Sequence, residues 1–225
     1  MHNSMDDLDE KIKKQGREGL VEYLIIRHFS RPISKIIIKK TKITANQVTT
    51  FSLFLAIISA LFFYFGDYQS LVIGAIILFI SQVFDCCDGE VARYYGIKNK
   101  FGKWWDEFTD VLKITIILLG ISISLHKIMN STLPLMLGTF SIINILLFNY
   151  LRQLTKANIS IEPPAEVNLG KKFFFGITVT TTFLVTIFAI LNILYYLLWV
   201  YATFGILFWL KKVHSGFKMR DKFAT

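Results

Sequence analysis

Long apolar stretches constrain this chain more than any other feature of it. A helix needs about 20 mostly apolar residues to cross a hydrocarbon core about 30 Å thick. Six stretches meet that requirement: residues 45–66, 70–94, 102–125, 133–154, 173–191 and 192–210. The last two run together, with Leu191-Asn192 as the only place for a turn. Ahead of the first span, residues 20–42 interleave Leu24, Ile25, Ile26, Ile33, Ile36, Ile37 and Ile38 with Arg27, Arg31, Lys35, Lys39 and Lys40. Such a mixture reads as an amphipathic helix lying in the membrane interface, broken or started at Pro32, with a solvated basic linker as the alternative. The fold expected is all-α and integral to the membrane, six transmembrane helices preceded by one interfacial helix. Residues 43–212 form the six-span domain. Residues 1–19 are polar, exclude a signal peptide and are expected to be flexible. Residues 160–170, with Pro163-Pro164, read as a loop, and 213–225 as a basic tail.

Charge orients the spans. The 25 Lys and Arg against 16 Asp and Glu leave a formal charge of +9. In a chain that is 53% hydrophobic with 21 Phe, this excess points to a membrane surface rather than nucleic acid. Ten basic residues precede the first span, and four each flank the second and fourth connections. Five more follow the last span, while Lys127 stands alone on the opposite side. This asymmetry puts both termini in the cytoplasm of a multi-pass cell-membrane protein. Cys86 and Cys87 are adjacent, so they form neither a disulfide framework nor a zinc site.

Ionisable residues are costly within spans and mark function by default. Here they gather at the cytoplasmic ends of the second and third spans. Asp85 and Asp88 lie one turn apart, as do Asp106 and Asp110. Partners at i, i+3 or i, i+4 share a helix face, so a hairpin of these two spans brings four carboxylates together. Hard oxygen donors in such a cluster suit Mg²⁺ or Mn²⁺, and four suffice for two ions. The alternative is that neighbours such as Arg93 and Lys103 neutralise them. Gly89 and Gly102 permit close backbone approach or serve helix packing, and Arg93 offers a fork for phosphate.

The run Asp85-Cys86-Cys87-Asp88-Gly89-Glu90-Val91-Ala92-Arg93, followed by Gly102, Asp106 and Asp110 at fixed spacing, resembles the signature of the CDP-alcohol phosphotransferases. The likeness extends to the basic interfacial helix, the 44–49 entry to the first span and the six-span count. The resemblance implies that Asp85, Asp88 and Asp106 ligate metal. Asp110 would be the general base that also touches the second ion. Asn46, Gln47, Val48, Thr49, Gly89, Ala92, Arg93, Asn99 and Gly102 match positions that hold the CDP moiety. A CDP-alcohol lipid such as CDP-diacylglycerol or CDP-archaeol is the donor so implied, a hydroxyl compound the acceptor, and the active site is cytoplasmic. The partners expected are the bilayer and a second copy of the chain, as a homodimer, with no nucleic acid. The context Phe101-Gly102-Lys103-Trp104-Trp105-Asp106 is closest to the inositol-phosphate-using branch, which includes di-inositol-phosphate synthases using a CDP-inositol donor. Relatives in that branch often carry Arg directly after the fourth Asp, where this chain has Val111. Lys113 is a substitute, because Asp106, Asp110 and Lys113 lie within about 60° on a helix. Lys113 would alternatively pair with Glu107 or snorkel outward. Arg152 is the second candidate for an acceptor phosphate, or a positive-inside anchor. A cation-binding transport protein is the competing class, but transporters place charge near the midplane.

Overall fold

A computed structural model describes residues 3–14, 16, 18–97, 99–159, 167–169 and 173–218. Most of the described residues are helical, and a small sheet accounts for the strands among them. It comprises α1 (Asn3–Ile12), β1 (Glu18–Gly19), a π-helical turn at Glu22–Ile26, α2 (Arg27–Lys40), α3 (Ala45–Phe65) and α4 (Tyr68–Tyr94). There follow α5 (Lys100–Met129), α6 (Leu133–Ile159), β2 (Val167–Leu169), β3 (Phe173–Phe175), α7 (Ile177–Ile190) and α8 (Leu194–Lys218).

Local chemistry fixes the helix ends. Thr44 and Gln47 form a capping box at the start of α3, and Asp67 caps α4 by accepting from the Ser70 amide at 2.9 Å. That bond holds the Asp67 carboxyl below the usual carboxylate range. Asn99 caps α5. The tight turns fall where left-handed backbone is tolerated, at Gly66 (φ 82°), Asn130 (φ 46°) and Asn192 (φ 57°). The last of these lies at the Leu191-Asn192 junction expected to turn.

Among the described residues, five helices are long and apolar enough to cross a membrane: α3, α4, α5, α6 and α8. The fifth expected span, 173–191, differs. Its first residues pair as β3, and the helix that follows has 14 residues, about 21 Å at 1.5 Å each. That is short of the hydrocarbon thickness. Strand β3 sits at the centre of a three-stranded sheet in the order β1-β3-β2, parallel to β1 and antiparallel to β2. This small sheet is the departure from an all-α fold.

The helices pack around two apolar cores. One holds Ala56, Phe63, Leu78, Ile117, Leu118, Ile121 and Leu198 from the long helices. Helix α3 lies closely against α5, since a Cβ on Gly120 would stand 2.7 Å from the Ala60 carbonyl oxygen. The second core gathers Val48, Val83, Cys87 and Val91 under Ile26, Ile37 and Ile38 of the interfacial segment, with Leu8 and Ile12 of α1.

Three expectations about the termini change. The segment 1–19 was expected to be flexible, yet α1 forms because Leu8 and Ile12 are 5% and 1% exposed against α4 and α2. Helix α2 runs through Pro32 and is neither broken nor started there, since the turn at 22–26 already winds the chain ahead of it. It turns Ser30, Ser34, Ile37 and Ile38 inward and leaves Phe29 and Ile36 exposed, as an interfacial helix requires. Helix α8 extends to Lys218, so the first residues of the expected tail are helical. Of the expected 160–170 loop, residues 167–169 are β2 and the remainder lies outside the described residues, as does 219–225.

Candidate active site

Three of the four carboxylates expected to converge, from the end of α4 and the start of α5, meet. One ligand oxygen from each of Asp85, Asp88 and Asp106 lies within 4.8 Å of the others. Helix α3 supports them. Thr49 Oγ1 donates to Asp88 Oδ2 at 2.6 Å and Ser52 Oγ to Asp85 Oδ1 at 3.4 Å. Within α4, Gln82 Nε2 donates to Asp85 Oδ2 at 3.3 Å.

Asp110 stands outside this triad, one turn further along α5, and is joined to it through Lys113. The Lys113 ammonium is buried, pairs with Asp85 and lies 3.9 Å from Asp110 Oδ1. It neither snorkels nor pairs with Glu107, whose carboxylate is held by Lys156 at 2.9 Å and Gln153 at 2.6 Å from α6. Lys113 is thus a built-in counter-charge. Arg152, on α6, has a buried Nε with no hydrogen-bond partner among the described residues.

A cavity of about 460 Å³ opens beside the triad. It is lined by Asp88, Asp106, Lys100 and Lys103 together with Asn46, Thr49, Gly89, Ala92, Asn99, Gly102, Ala45 and Ile97. A Cβ on Gly102 would come 2.9 Å from Asn46 Oδ1, so a side chain there would displace the Asn46 amide from the cavity lining. Of the nine positions matched to CDP binding, six line this cavity. Gln47 is spent on the α3 cap, its Oε1 accepting from the Thr44 amide at 2.9 Å. Val48 is 2% exposed in the second core. Arg93 lies behind Gly89, with its Nε bonded to the Ile12 carbonyl at 2.9 Å.

Sequence reasoning missed Lys100 and Lys103 as lining residues, although both flank Gly102, and gave no role to Glu90. Glu90 is 1% exposed and accepts from Arg27 Nη1 at 2.6 Å and Ser30 Oγ at 2.9 Å, which ties α2 to α4.

The donor set fits a divalent cation. Three hard oxygen ligands stand within mutual reach, and a single buried ammonium offsets part of their charge.

Residues 42–211 match the sequence profile of the CDP-alcohol phosphatidyltransferases. The chain belongs to that family. A curated relative from Aquifex aeolicus (strain VF5), the bifunctional IPC transferase and DIPP synthase, is 35% identical over 99 residues. Those residues are 43% of this chain and 22% of the relative, so the chain spans well under half of that relative's length. Phosphatidylinositol phosphate synthase (PgsA1) of Mycobacterium tuberculosis shares the fold. Its CDP-DAG-bound crystal structure superposes with a TM-score of 0.64 at 16% identity, covering 83% of this chain and 92% of that one. The apo form gives 0.64 at 17% identity, with 83% and 95% covered. Two of the clustered carboxylates of this family member, Asp88 and Asp106, line the cavity.

Proposed function

We propose that this protein is a membrane phosphotransferase of phospholipid biosynthesis. It moves the substituted phosphate group of a CDP-alcohol, such as CDP-diacylglycerol or CDP-archaeol, to an acceptor hydroxyl and releases CMP. The observation that carries this reading is one cavity lined by the carboxylates Asp88 and Asp106, the lysines Lys100 and Lys103, and six of the positions matched to CDP binding. Such a surface suits a diphosphate held between cations and an acidic cluster.

Asp85, Asp88 and Asp106 would hold Mg²⁺ or Mn²⁺, with Asp110 completing a site for two ions. Bound there, the ions would offset charge on the phosphoryl oxygens. The chain's own groups do the rest. Lys100 and Lys103 attract the diphosphate, and Gly89 and Gly102 let it approach the backbone. Asp110 accepts the proton of the acceptor hydroxyl as its oxygen bonds to the phosphorus that bears the donor's alcohol. The bond from that phosphorus to the CMP oxygen breaks, and CMP leaves with the electron pair. Lys113, 3.9 Å from Asp110 Oδ1, would orient that carboxyl, and Arg152 would meet an acidic acceptor such as an inositol phosphate. On the basic asymmetry the site would face the cytoplasm, and the protein would act as a homodimer.

A second reading, a CDP-inositol donor in di-inositol-phosphate synthesis, is favoured by the name of the Aquifex relative. Purified protein assayed for CMP release against CDP-diacylglycerol, CDP-archaeol and CDP-inositol, each with inositol phosphate, inositol and glycerol phosphate, separates the two. CMP release that needs a lipid donor supports the first reading, and release from CDP-inositol alone replaces it. No CMP from any pairing overturns the transferase assignment, and full turnover in excess EDTA overturns the metal site. Electron paramagnetic resonance of Mn²⁺ tests the ion site independently, since Asp88→Asn should lose the bound signal.

A further inference from the structure

Arg93 belongs to the family signature but does not line the cavity, and a segment outside the family match determines how it sits. Helix α1 ends at Ile12, whose carbonyl is one of those that a helix C-terminus leaves without an intrahelical partner. Arg93 Nε donates to that carbonyl at 2.9 Å, at the end of the helix where the macrodipole favours a cation. The guanidinium then lies flat against Gly89, with Nη1 3.1 Å from the point a Cβ there would occupy. Nη2 is buried and has no hydrogen-bond partner among the described residues. A guanidinium has donors on two edges. One edge is pinned on α1, and the other faces the glycine that separates it from the cavity. Leaving a buried charged donor unmet is costly unless something in the working protein meets it. An anion above Gly89 is placed to do so.

The seat of α1 is specific. Leu8 and Ile12 fill the second core, and Asp9 pairs with Lys35 of α2 at 2.6 Å. We propose that α1 is a positioning element for nucleotide binding, its terminal carbonyl locking the Arg93 guanidinium so that Nη1 and Nη2 face the donor's diphosphate across Gly89. This rests on the CDP-alcohol reading above. It gives the first 13 residues a task in substrate affinity, distinct from membrane attachment.

Two variants of the full chain move the carbonyl differently. Leu8→Asp with Ile12→Asp unseats α1. Lys13→Pro keeps α1's apolar seat but pushes the residue before it, Ile12, out of helical backbone and swings its carbonyl away. The measurements are CDP affinity by calorimetry, donor KM, acceptor KM, kcat and thermal midpoint. A hydrogen bond to a charged group is worth enough for about a tenfold change. The expected result in both variants is therefore about tenfold weaker CDP binding and a matching rise in donor KM. Acceptor KM and kcat should stay within about twofold. In an Arg93→Lys background, which lacks Nε, Lys13→Pro should add nothing. Unchanged CDP affinity, an equal Lys13→Pro effect in both backgrounds, tighter CDP binding, or a lowered midpoint with unchanged KM would each overturn the proposal. Wild-type protein that binds no CDP indicts the donor reading instead, so the two failures are distinct.

Discussion

The ion pair between Arg27 and Glu90 predicts an asymmetric response to removing either partner. Glu90 is 1% exposed, and its carboxylate depends on Arg27 at 2.6 Å and the Ser30 hydroxyl at 2.9 Å. Arg27 is 6% exposed but better provided for, since it also binds Glu18 at 2.8 Å and lies 3.9 Å from Glu22. Arg27→Met therefore strands a buried carboxylate with one neutral donor, a loss of about 3–5 kcal/mol. Glu90→Gln keeps the shape and an oxygen acceptor, and leaves Arg27 two carboxylates. Its cost is that of one charged hydrogen bond, about 1.5–3 kcal/mol. At about 2–4 °C per kcal/mol for a chain of this size, Arg27→Met should lower the unfolding midpoint by roughly 6–20 °C and Glu90→Gln by roughly 3–12 °C. Thermal melts of detergent-purified protein, followed by circular dichroism at matched detergent, measure both. Adding Glu90→Gln to Arg27→Met should recover part of the loss, because it removes the stranded charge. The reasoning fails if Glu90→Gln is the more damaging single change, or if the double variant is worse than Arg27→Met.

Asp110→Asn should cut turnover by about 10²–10⁴-fold while CDP binding by calorimetry survives, and near-normal turnover would move the base elsewhere. Lys113→Met removes the ammonium that pairs with Asp85 and stands 3.9 Å from Asp110. It should therefore tighten Mn²⁺ binding severalfold in paramagnetic resonance titrations while lowering turnover; weaker Mn²⁺ binding would show that Lys113 is not a counter-charge. Cysteines introduced at Tyr95 and Thr132 should label from opposite sides of the membrane, Tyr95 from the cytoplasm, over a silent background because Cys86 and Cys87 are buried. Labelling of both from one side would refute the orientation drawn from the basic residues.

The sequence made the site more legible than its supports. Asp85, Asp88, Asp106 and Gly102 could be placed because helix periodicity and a short connection suffice to bring them together. Lys113 was found by the same periodicity, but its partner was not. Within α5 Glu107 was the visible choice, whereas the pairing across helices to Asp85 depends on how α4 and α5 pack. The long spans were read to within a few residues because apolar length is a local property. The start of the 173–191 stretch reads as part of a span because Phe173, Phe174 and Phe175 are as apolar as one, while their pairing with β1 and β2 comes from distant segments. Helix α1 was missed because Leu8 and Ile12 sit in a mostly polar run that gives no strong apolar stripe.

The signature itself divides along the surface of α4, and this explains why some of its positions miss the cavity. At about 100° per residue, Asp85, Asp88, Gly89 and Ala92 fall on one stripe about 100° wide, while Cys86, Glu90 and Arg93 fall on a neighbouring one. The first stripe carries the ligand-facing groups, and all of it beyond Asp85 lines the cavity. The second faces the amino-terminal segments: Glu90 is held by Arg27 and Ser30 of α2, and Arg93 by Ile12 of α1. Helix α3 grips the first stripe through Thr49 and Asp88. The run 85–93 is thus clamped by three segments that all precede it in the chain. A carboxylate cluster repels itself, and its geometry holds only if the helix bearing it cannot rotate. A rotation of one residue would exchange the face turned to the cavity, carrying Asp85 and Asp88 toward α2 in one sense and Glu90 toward the cavity in the other. The buried Arg27–Glu90 pair makes that exchange costly, so a residue with no place in the chemistry fixes which carboxylates face it.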